Sequence, residues 1–557
     1  MSIIREIHAG DWCVRLDIGR QVLRLEIPEA VADWRHRGRR QAGPPLSPLL
    51  PLTADGPVSA ATLLLKSKQF DDRLYAAVEL AAQNGAGRFT GKAWLLRTLA
   101  ESLAAGLPDT SVRAATAIHV ACELGGLTVA LPAVLIDAVR RATADFLRDE
   151  RLSRPLGFYS WTPALSAIFH QDRYLQQPLD PETADSLTSA LQQTPGAQDA
   201  YALCLRLAAR LTNPPKNPGL RDVGKRLPFL APSFSHEVAL LELLYEDKAI
   251  PEGFDLMAEL IRRVRSGAVD LNPTDQSGWY DHQTWSLEPL IVPDRMPERS
   301  RLEQGKRYRK HLEDLFRGAL ALSRETHVKQ AGMGAGGFGG SRQPPIWVGP
   351  SLSVEPLPSL YARRASGYRF VRSVLEEVFG ADTLHGMHGL TPEGPATANL
   401  AEELEWIANL FAGAAASANR ELGIRPPGEA EGAVDCFSAW KASLSADEDV
   451  SRDARMMVPV FWDVQREKTK VWAFLAWRTT PVMVDYRVRP NVLGVDPSRP
   501  SAKPAGEPPV VLFAGDRYEL AVPVMAEVYV SRLLDRDEFR RHCDRFRTRE
   551  AILANLR

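Results

Sequence analysis

The chain has 557 residues, of which 45% are apolar and 25% charged, enough for roughly three ordinary domains, or two if one is a large helical array. Lys plus Arg (68) nearly cancels Asp plus Glu (69), so no global field draws in nucleic acid or an anionic membrane, and both are disfavoured as partners. The five cysteines, Cys13, Cys122, Cys204, Cys436 and Cys543, are scattered and form no Cys-x-x-Cys pair, which argues against a disulfide framework, a thiolate zinc site and an iron–sulfur cluster.

Residues 11 to 28 alternate apolar and polar, with a break at Gly19-Arg20-Gln21, and predict an N-terminal β-hairpin. A basic stretch, Arg35 to Arg40, and a proline-rich one, Pro44 to Pro57, read as a linker that completes a first region, 1–58. From 59 to 450 the pattern is helical. Thr90 is the expected N-cap of a helix through Trp94, Leu95 and Leu99, and Asp109 or Thr110 opens the next, which stops at Gly125-Gly126. Pro132 suits a first helical turn, and further helices are expected over about 181–193, 197–212, 235–247, 252–266, 298–329, 357–379, 399–421 and 434–446. Many short helices on short turns predict an irregular α/α array, a toroid or a solenoid-like stack, although no fixed period is present.

In the third region, 451–557, the period changes to two. Strands are expected at Val458 to Trp462, Val471 to Trp477, Val482 to Val488, Val510 to Phe513 and Leu520 to Val530. Gln465 to Lys468 and Ala514-Gly515-Asp516 read as turns, Pro497 to Pro509 as an exposed loop, and Arg536 to Leu556 as a final helix. The fold class is therefore mainly α, with a small antiparallel sheet near the C-terminus. The start lacks the apolar core of a secretory signal, and no run reaches the eighteen or so apolar residues of a membrane span, so a reducing cytoplasm is the expected location.

Nucleotide-binding motifs fail. Gly87 to Ala93 has three residues between its glycines, where a phosphate loop has four, and it follows a helix. Gly332 to Gly340 is a glycine-rich loop with no strand leading in. Gly339-Gly340-Ser341-Arg342-Gln343 lacks the last glycine of a nucleophile elbow, and no His-Glu-x-x-His is present.

Two polar strings remain, Ser277 to Trp285 and Arg324 to Gln330, and neither carries a family signature. The stripe Leu312, Phe316, Ala319, Ser323 continues onto His327 and turns it inward. His311, 16 positions earlier (327 − 311) and roughly 24 Å away along a helix, follows the basic residues Arg309 and Lys310 and is expected at the surface. A second aromatic cluster, Phe158-Tyr159-Ser160-Trp161, precedes a helix holding His170 and Asp172. The expected site is a pocket in which Asp281, His282 and His327 act as acid–base groups or ligands of a divalent transition metal, with Glu325 assisting. Trp279, Tyr280, Trp285, Arg324 and Lys329 would hold the substrate, and His385 with His388 is a second, looser candidate for metal. The expected function is an enzyme acting on a small molecule, peptide or saccharide by hydrolysis, oxygen activation or acid–base cleavage. The alternative is a helical scaffold that binds a protein partner, in which the aromatics are core.

Overall fold

The computed structural model describes residues 4–9, 12–17, 22–26, 45–52, 56–107, 112–216, 220, 227–245, 248–251, 253–329, 352–424, 431–488 and 512–556. The basic stretch at 35–40, Asp109, Thr110, the glycine-rich loop at 332–340 and the loop at 497–509 lie outside them. The chain divides into two compact units, residues 1–46 with 541–557, and residues 47–540. In the smaller unit, β1 (Ile4–Ala9), β2 (Trp12–Asp17) and β3 (Val22–Glu26) form an antiparallel sheet in that order. The predicted hairpin is β2–β3, and β1 adds a strand to it. The expected single C-terminal helix is two, α17 (Arg536–Phe546) and α18 (Arg549–Leu556), separated where Arg547 takes a left-handed φ of 54°.

The larger unit is a helical body. Its helices are α1 (Ala60–Asn84), α2 (Lys92–Ala105), α3 (Val112–Leu124), α4 (Ile136–Arg148), α5 (Glu150–Ser153), α6 (Pro163–Leu175), α7 (Pro181–Gln193), α8 (Ala197–Leu211), α9 (His236–Tyr245), α10 (Leu256–Ser266) and α11 (Trp279–Leu287). Then come α12 (Lys306–Thr326), α13 (Pro358–Phe379), α14 (Ala381–Gly386), α15 (Leu400–Glu421) and α16 (Glu431–Ala442). Gly91, not Thr90, occupies the N-cap of α2. α12 begins later than expected because Pro297 opens a short 3-10 turn and β4 (Leu302–Glu303) intervenes. A hairpin, β5 (His388–Thr391) with β6 (Gly394–Asn399), interrupts the helical series at a turn that needs φ 137° at Gly394.

α1 is the spine of this body. Ser59 caps it through the Thr62 amide, and all of its 25 residues except Arg73, Leu80, Ala81 and Asn84 are buried. A helix enclosed on every side is normally apolar all round, yet this one carries Lys66, Lys68, Asp71, Asp72 and Glu79 inward. Each buried charge needs a partner on a neighbouring element, so the sequence of α1 dictates polar seams between α1 and α2, α6, α12 and α13.

The C-terminal sheet is antiparallel. β8 (Lys468–Val488) runs through its centre, paired along one side with β9 (Leu512–Val530) and on the other with β7 (Met456–Asp463) and then β4. β8 is one strand where two were expected. The predicted turn at 514–516 lies inside β9, where Gly515 pairs with Asp485, because continuous ladder bonds override the local turn preference. Pro481 falls between the β7-paired and β4-paired stretches of β8, and Pro523 sits on the edge strand β9, so neither breaks the central ladder. The 464–467 connection is the expected turn, held by Asp463 Oδ1, which accepts from the Gln465 and Arg466 amides at 3.1 and 3.2 Å. Among the described residues, no helix is long and apolar enough to cross a membrane.

Candidate functional site

The two polar strings do meet, but inside the body. α11 starts where Gly278 presses on the end of α8: a Cβ there would stand 2.0 Å from the Thr212 carbonyl oxygen, the acceptor of the Tyr280 amide at 3.0 Å. This close approach brings Trp279 and Tyr280 against His327. With Tyr75 of α1 they box the imidazole at ring-centroid distances of 5.6, 5.2 and 5.1 Å, each edge to face. His327 is 1% exposed. Its Nε2 lies 3.1 Å from Gln283 Oε1, an acceptor, so that nitrogen carries the proton and Nδ1 accepts from the Thr212 hydroxyl at 3.4 Å. Burial, with Lys68 and Arg364 adding repulsion, pushes its pKa down to about 3. His327 is a neutral core residue.

Gln283 continues the seam by donating to Asp71 Oδ2 at 2.9 Å. Asp71 also accepts from Arg364 at 2.6 Å and from the Tyr368 hydroxyl at 2.8 Å. Burial lifts Asp71 to about 6 against the opposing pull of Arg364. One turn on, Lys68 bridges Asp72 (2.5 Å) and Glu325 (2.9 Å), and Arg536 reaches Glu325 at 2.5 Å. Burial alone would raise the Glu325 carboxyl, but Arg536 and Lys68 outweigh it and hold it at about 2. Arg324, fully buried, lies against the Trp472 ring at 5.2 Å and pairs with Glu237, the acceptor of the Tyr280 hydroxyl. Glu325 and Arg324 are therefore engaged on different sides of the helix end.

His282 is not part of this seam. One position before Gln283 on a helix, it points about 100° away and stacks on Phe370 of α13 at 4.0 Å, half-buried, its pKa lowered to about 4 by burial and then by Arg210. Trp285 lies under Arg363 at 4.5 Å and donates to Asn272. Asp281 clips the turn before its own helix, accepting from Ser277 at 2.9 Å and Asn213 at 2.7 Å. His385 sits exposed at the end of α14, and His388 gives its Nδ1 to the carbonyls of Ala396 and Ala398, both at 3.1 Å. Among the described residues, no three His, Cys, Asp or Glu side chains stand together as metal ligands, so Asp281, His282 and His327 do not form the expected three-ligand site. His311, expected at the surface, is 2% exposed; it stacks on Tyr308 and meets Glu355 Oε1 at 3.0 Å, because residues one and two away on a helix face elsewhere.

Lys329 leads to a different place. Its ammonium reaches Glu79 Oε1 of α1 at 2.5 Å and Asp172 Oδ2 of α6 at 2.7 Å. Lys92, the first residue of α2, reaches the same Asp172 oxygen at 2.5 Å and Glu79 Oε2 at 3.4 Å. Tyr159 donates to Glu79 at 2.9 Å, and Gln171 to Asp172 Oδ1 at 3.2 Å. All four charged groups are at least nine-tenths buried. Burial would raise Asp172, yet Lys329 and Lys92 hold it at about 2, and the two carboxylates together keep the Lys329 pKa raised against burial. This square forms the floor of a partly open cleft of about 50 Å³, walled by Val78, Phe89, Cys204, Leu207, Leu211 and Leu230. Burial pushes the Cys204 thiol up to about 12, so it is protonated and inert.

Of the expected residues, Trp279, Tyr280 and His327 converge in one ring cluster, Lys329 joins the cleft, and the others disperse. Sequence reading missed Glu79 and Lys92. In the sequence Lys92 stands out only as the lysine of a failed phosphate loop, and nothing in α1 marks Glu79 as inward-facing until the helix is known to be enclosed. No protein-family model, curated protein or solved structure matches the chain.

Proposed function

We propose that the protein binds a small ionic molecule in the cleft floored by Glu79, Lys92, Asp172 and Lys329. One observation carries this reading: four buried charges from four separate elements converge on the wall of a solvent-reaching cavity. Removing ions from water costs several kcal/mol each, and a framework needing only rigidity is as stable with apolar residues there. Perturbed, convergent charges beside a cavity are the pattern of binding sites. Against burial, Lys329 and Lys92 hold the Glu79 and Asp172 carboxyls below the usual carboxylate range, which suits orienting a charged ligand better than shuttling protons. An enzymatic role would therefore rest on positioning a substrate, with the sealed His327 contributing only structure.

The test is thermal unfolding of the full chain with short carboxylates, amines, amino acids and phosphate at millimolar concentration. A ligand at a hundred times its Kd adds about 2.7 kcal/mol. At least one class should raise the midpoint in the native protein and fail in Ala208→Phe, where a ring on partly buried Ala208 of α8, which lines the cleft, fills it. A panel without any such response overturns the proposal. A second reading, a protein-binding scaffold, is favoured by a wider, open cleft of about 540 Å³ lined by Lys66, Arg73, Glu393, Asp447, Asp449 and Arg452. It predicts a partner whose capture is abolished by reversing Glu393 and Arg452, and capture unaffected by that change counts against it.

A further inference from the structure

Resting on the second reading above, that of a protein-binding scaffold, we infer that the wide cleft receives an extended basic segment of the partner, its Lys or Arg side chains drawn to Glu393 and Glu448. The cleft is lined by α1, the β5–β6 hairpin and the loop after α16. Its ion pairs give the sign of the partner. Each cation in the wall stands against two carboxylates. Lys66 meets Asp447 and Asp449, both at 2.8 Å, and Arg73 meets Asp449 at 3.1 Å and Glu403 at 3.7 Å. Arg452 lies 3.6 Å from Glu393 and 3.9 Å from Asp449. Glu448, exposed in the same wall, pairs with no cation among the described residues. Four acids (Glu393, Asp447, Glu448, Asp449) therefore line the cleft against three bases, a charge of −1 (3 − 4), and Glu403 behind Arg73 makes it −2 (3 − 5). An incoming anion would have to strip a cation from carboxylates on two sides. An incoming cation finds Glu448 unpaired and Glu393, 71% exposed, held by Arg452 alone.

Two neighbouring groups agree. Glu403 Oε2 is buried with no hydrogen-bond partner among the described residues, under β5, where a Cβ on Gly389 would stand 2.7 Å from it. Burial raises this carboxyl, so added positive charge nearby is favourable. Three residues on, on the same face of α15, Trp406 is 37% exposed, and the Lys66 ammonium lies 5.3 Å from the centre of its ring. A solvent-reaching indole thus stands beside the cleft, the side chain on which guanidinium groups stack best. Size and lining favour a chain over a small cation. About 540 Å³ is on the order of eighteen water volumes. Ala396 is the only apolar residue among those described in the wall, whereas sites that enclose a small organic ligand are mostly apolar. An extended segment leaves one side in water and turns alternate side chains to the wall, where the hairpin and the loop each offer it a carboxylate.

The test is a fluorescence-anisotropy titration of the full chain with a labelled arginine–glycine pentapeptide of alternating sequence, set against its glutamate–glycine counterpart and spermidine. The arginine peptide should bind saturably and at least tenfold tighter than the other two. Its binding should weaken at least tenfold in Glu393→Lys/Glu448→Lys, both exposed positions, and less than threefold in Asp137→Lys/Asp145→Lys, a matched reversal on α4 outside the cleft. If the cleft variant does not fold, Glu448→Gln decides, with a loss of at least threefold expected. Binding that survives the cleft reversal, or falls equally in both double variants, overturns the inference. Spermidine binding as tightly as the arginine peptide overturns the assignment to a peptide. Preference for the glutamate peptide overturns the inference but leaves the scaffold reading standing, since that reading needs a partner and not its sign. No saturable binding of either peptide also overturns the inference, and the scaffold reading is then decided by the capture experiment alone.

Discussion

Replacing Lys329 by Met tests whether the charge square is as buried as its contacts imply. Lys329 is 4% exposed, and methionine fills a similar volume, so the change removes a charge with little cavity. It leaves Glu79 and Asp172 sharing Lys92 alone. Asp172 is held at about 2 against an ordinary 3.8, and at about 1.4 kcal/mol per pH unit that shift corresponds to about 2 kcal/mol. Glu79, shifted in the same direction, adds to it, which brings the expected loss into the range of about 3–5 kcal/mol seen when a buried pair is broken. The double variant Lys329→Met/Glu79→Gln restores a one-to-one pair, Lys92 with Asp172, and should recover about 1–3 kcal/mol of that loss. The sign with pH follows from the depressed carboxyl. Its contribution is fully present above pH 3.8 and lost as pH falls toward 2, so the gap between native protein and single variant should narrow on acidification. Urea unfolding followed by circular dichroism at several pH values reads all three quantities. A single variant within about 1 kcal/mol of the native protein, with no recovery in the double, would refute the reasoning.

His327 stays neutral in the folded chain down to about pH 3, against an ordinary 6.5. Acidification therefore favours the unfolded state through this group from pH 6.5 downward, by about 5 kcal/mol at pH 3 (3.5 units). His327→Gln should cost about 1–3 kcal/mol at neutral pH yet flatten the acid limb of the stability curve; an unchanged limb would mean that the imidazole is hydrated. Arg364→Met strands Asp71 in the core and should destabilise by about 3–5 kcal/mol near neutral pH, less below pH 6 where the carboxyl can protonate; a pH-independent loss contradicts the pairing. Gly278→Ala drives a methyl group into the Thr212 carbonyl and should lower stability by about 1–3 kcal/mol, detected as a lower thermal midpoint. A neutral result would show that α8 and α11 are not in contact there.

Much of the helical order was legible because periodicity and end signals act locally. α7 lies over 181–193 as expected, capped by Asp180 with Pro181 in its first turn, and α8 and α15 fall within one residue of their expected bounds. The change of period near 456 likewise announced β7 and β8. What local signals could not convey is enclosure. α1 reads as an ordinary charged helix, and only the packing around it turns Lys68, Asp71, Asp72 and Glu79 into core residues that demand partners. The same limit explains the site. Inward-facing His327 was readable from its stripe, but its sealing by Tyr75 was not, since Tyr75 lies some 250 positions earlier (327 − 75 = 252). Lys329 was singled out for its string, whereas its true neighbours, Glu79, Lys92 and Asp172, come from three distant helices.

The account turns on whether the charged cleft is a place where small ions bind. Its most direct test is the heat of binding of the strongest member of the ionic panel, measured on the native chain and on Ala208→Phe under identical buffer and salt. The expected result is saturable one-to-one binding in the native chain and none in the variant. Equal binding by both proteins, or no saturable heat from either, would contradict it.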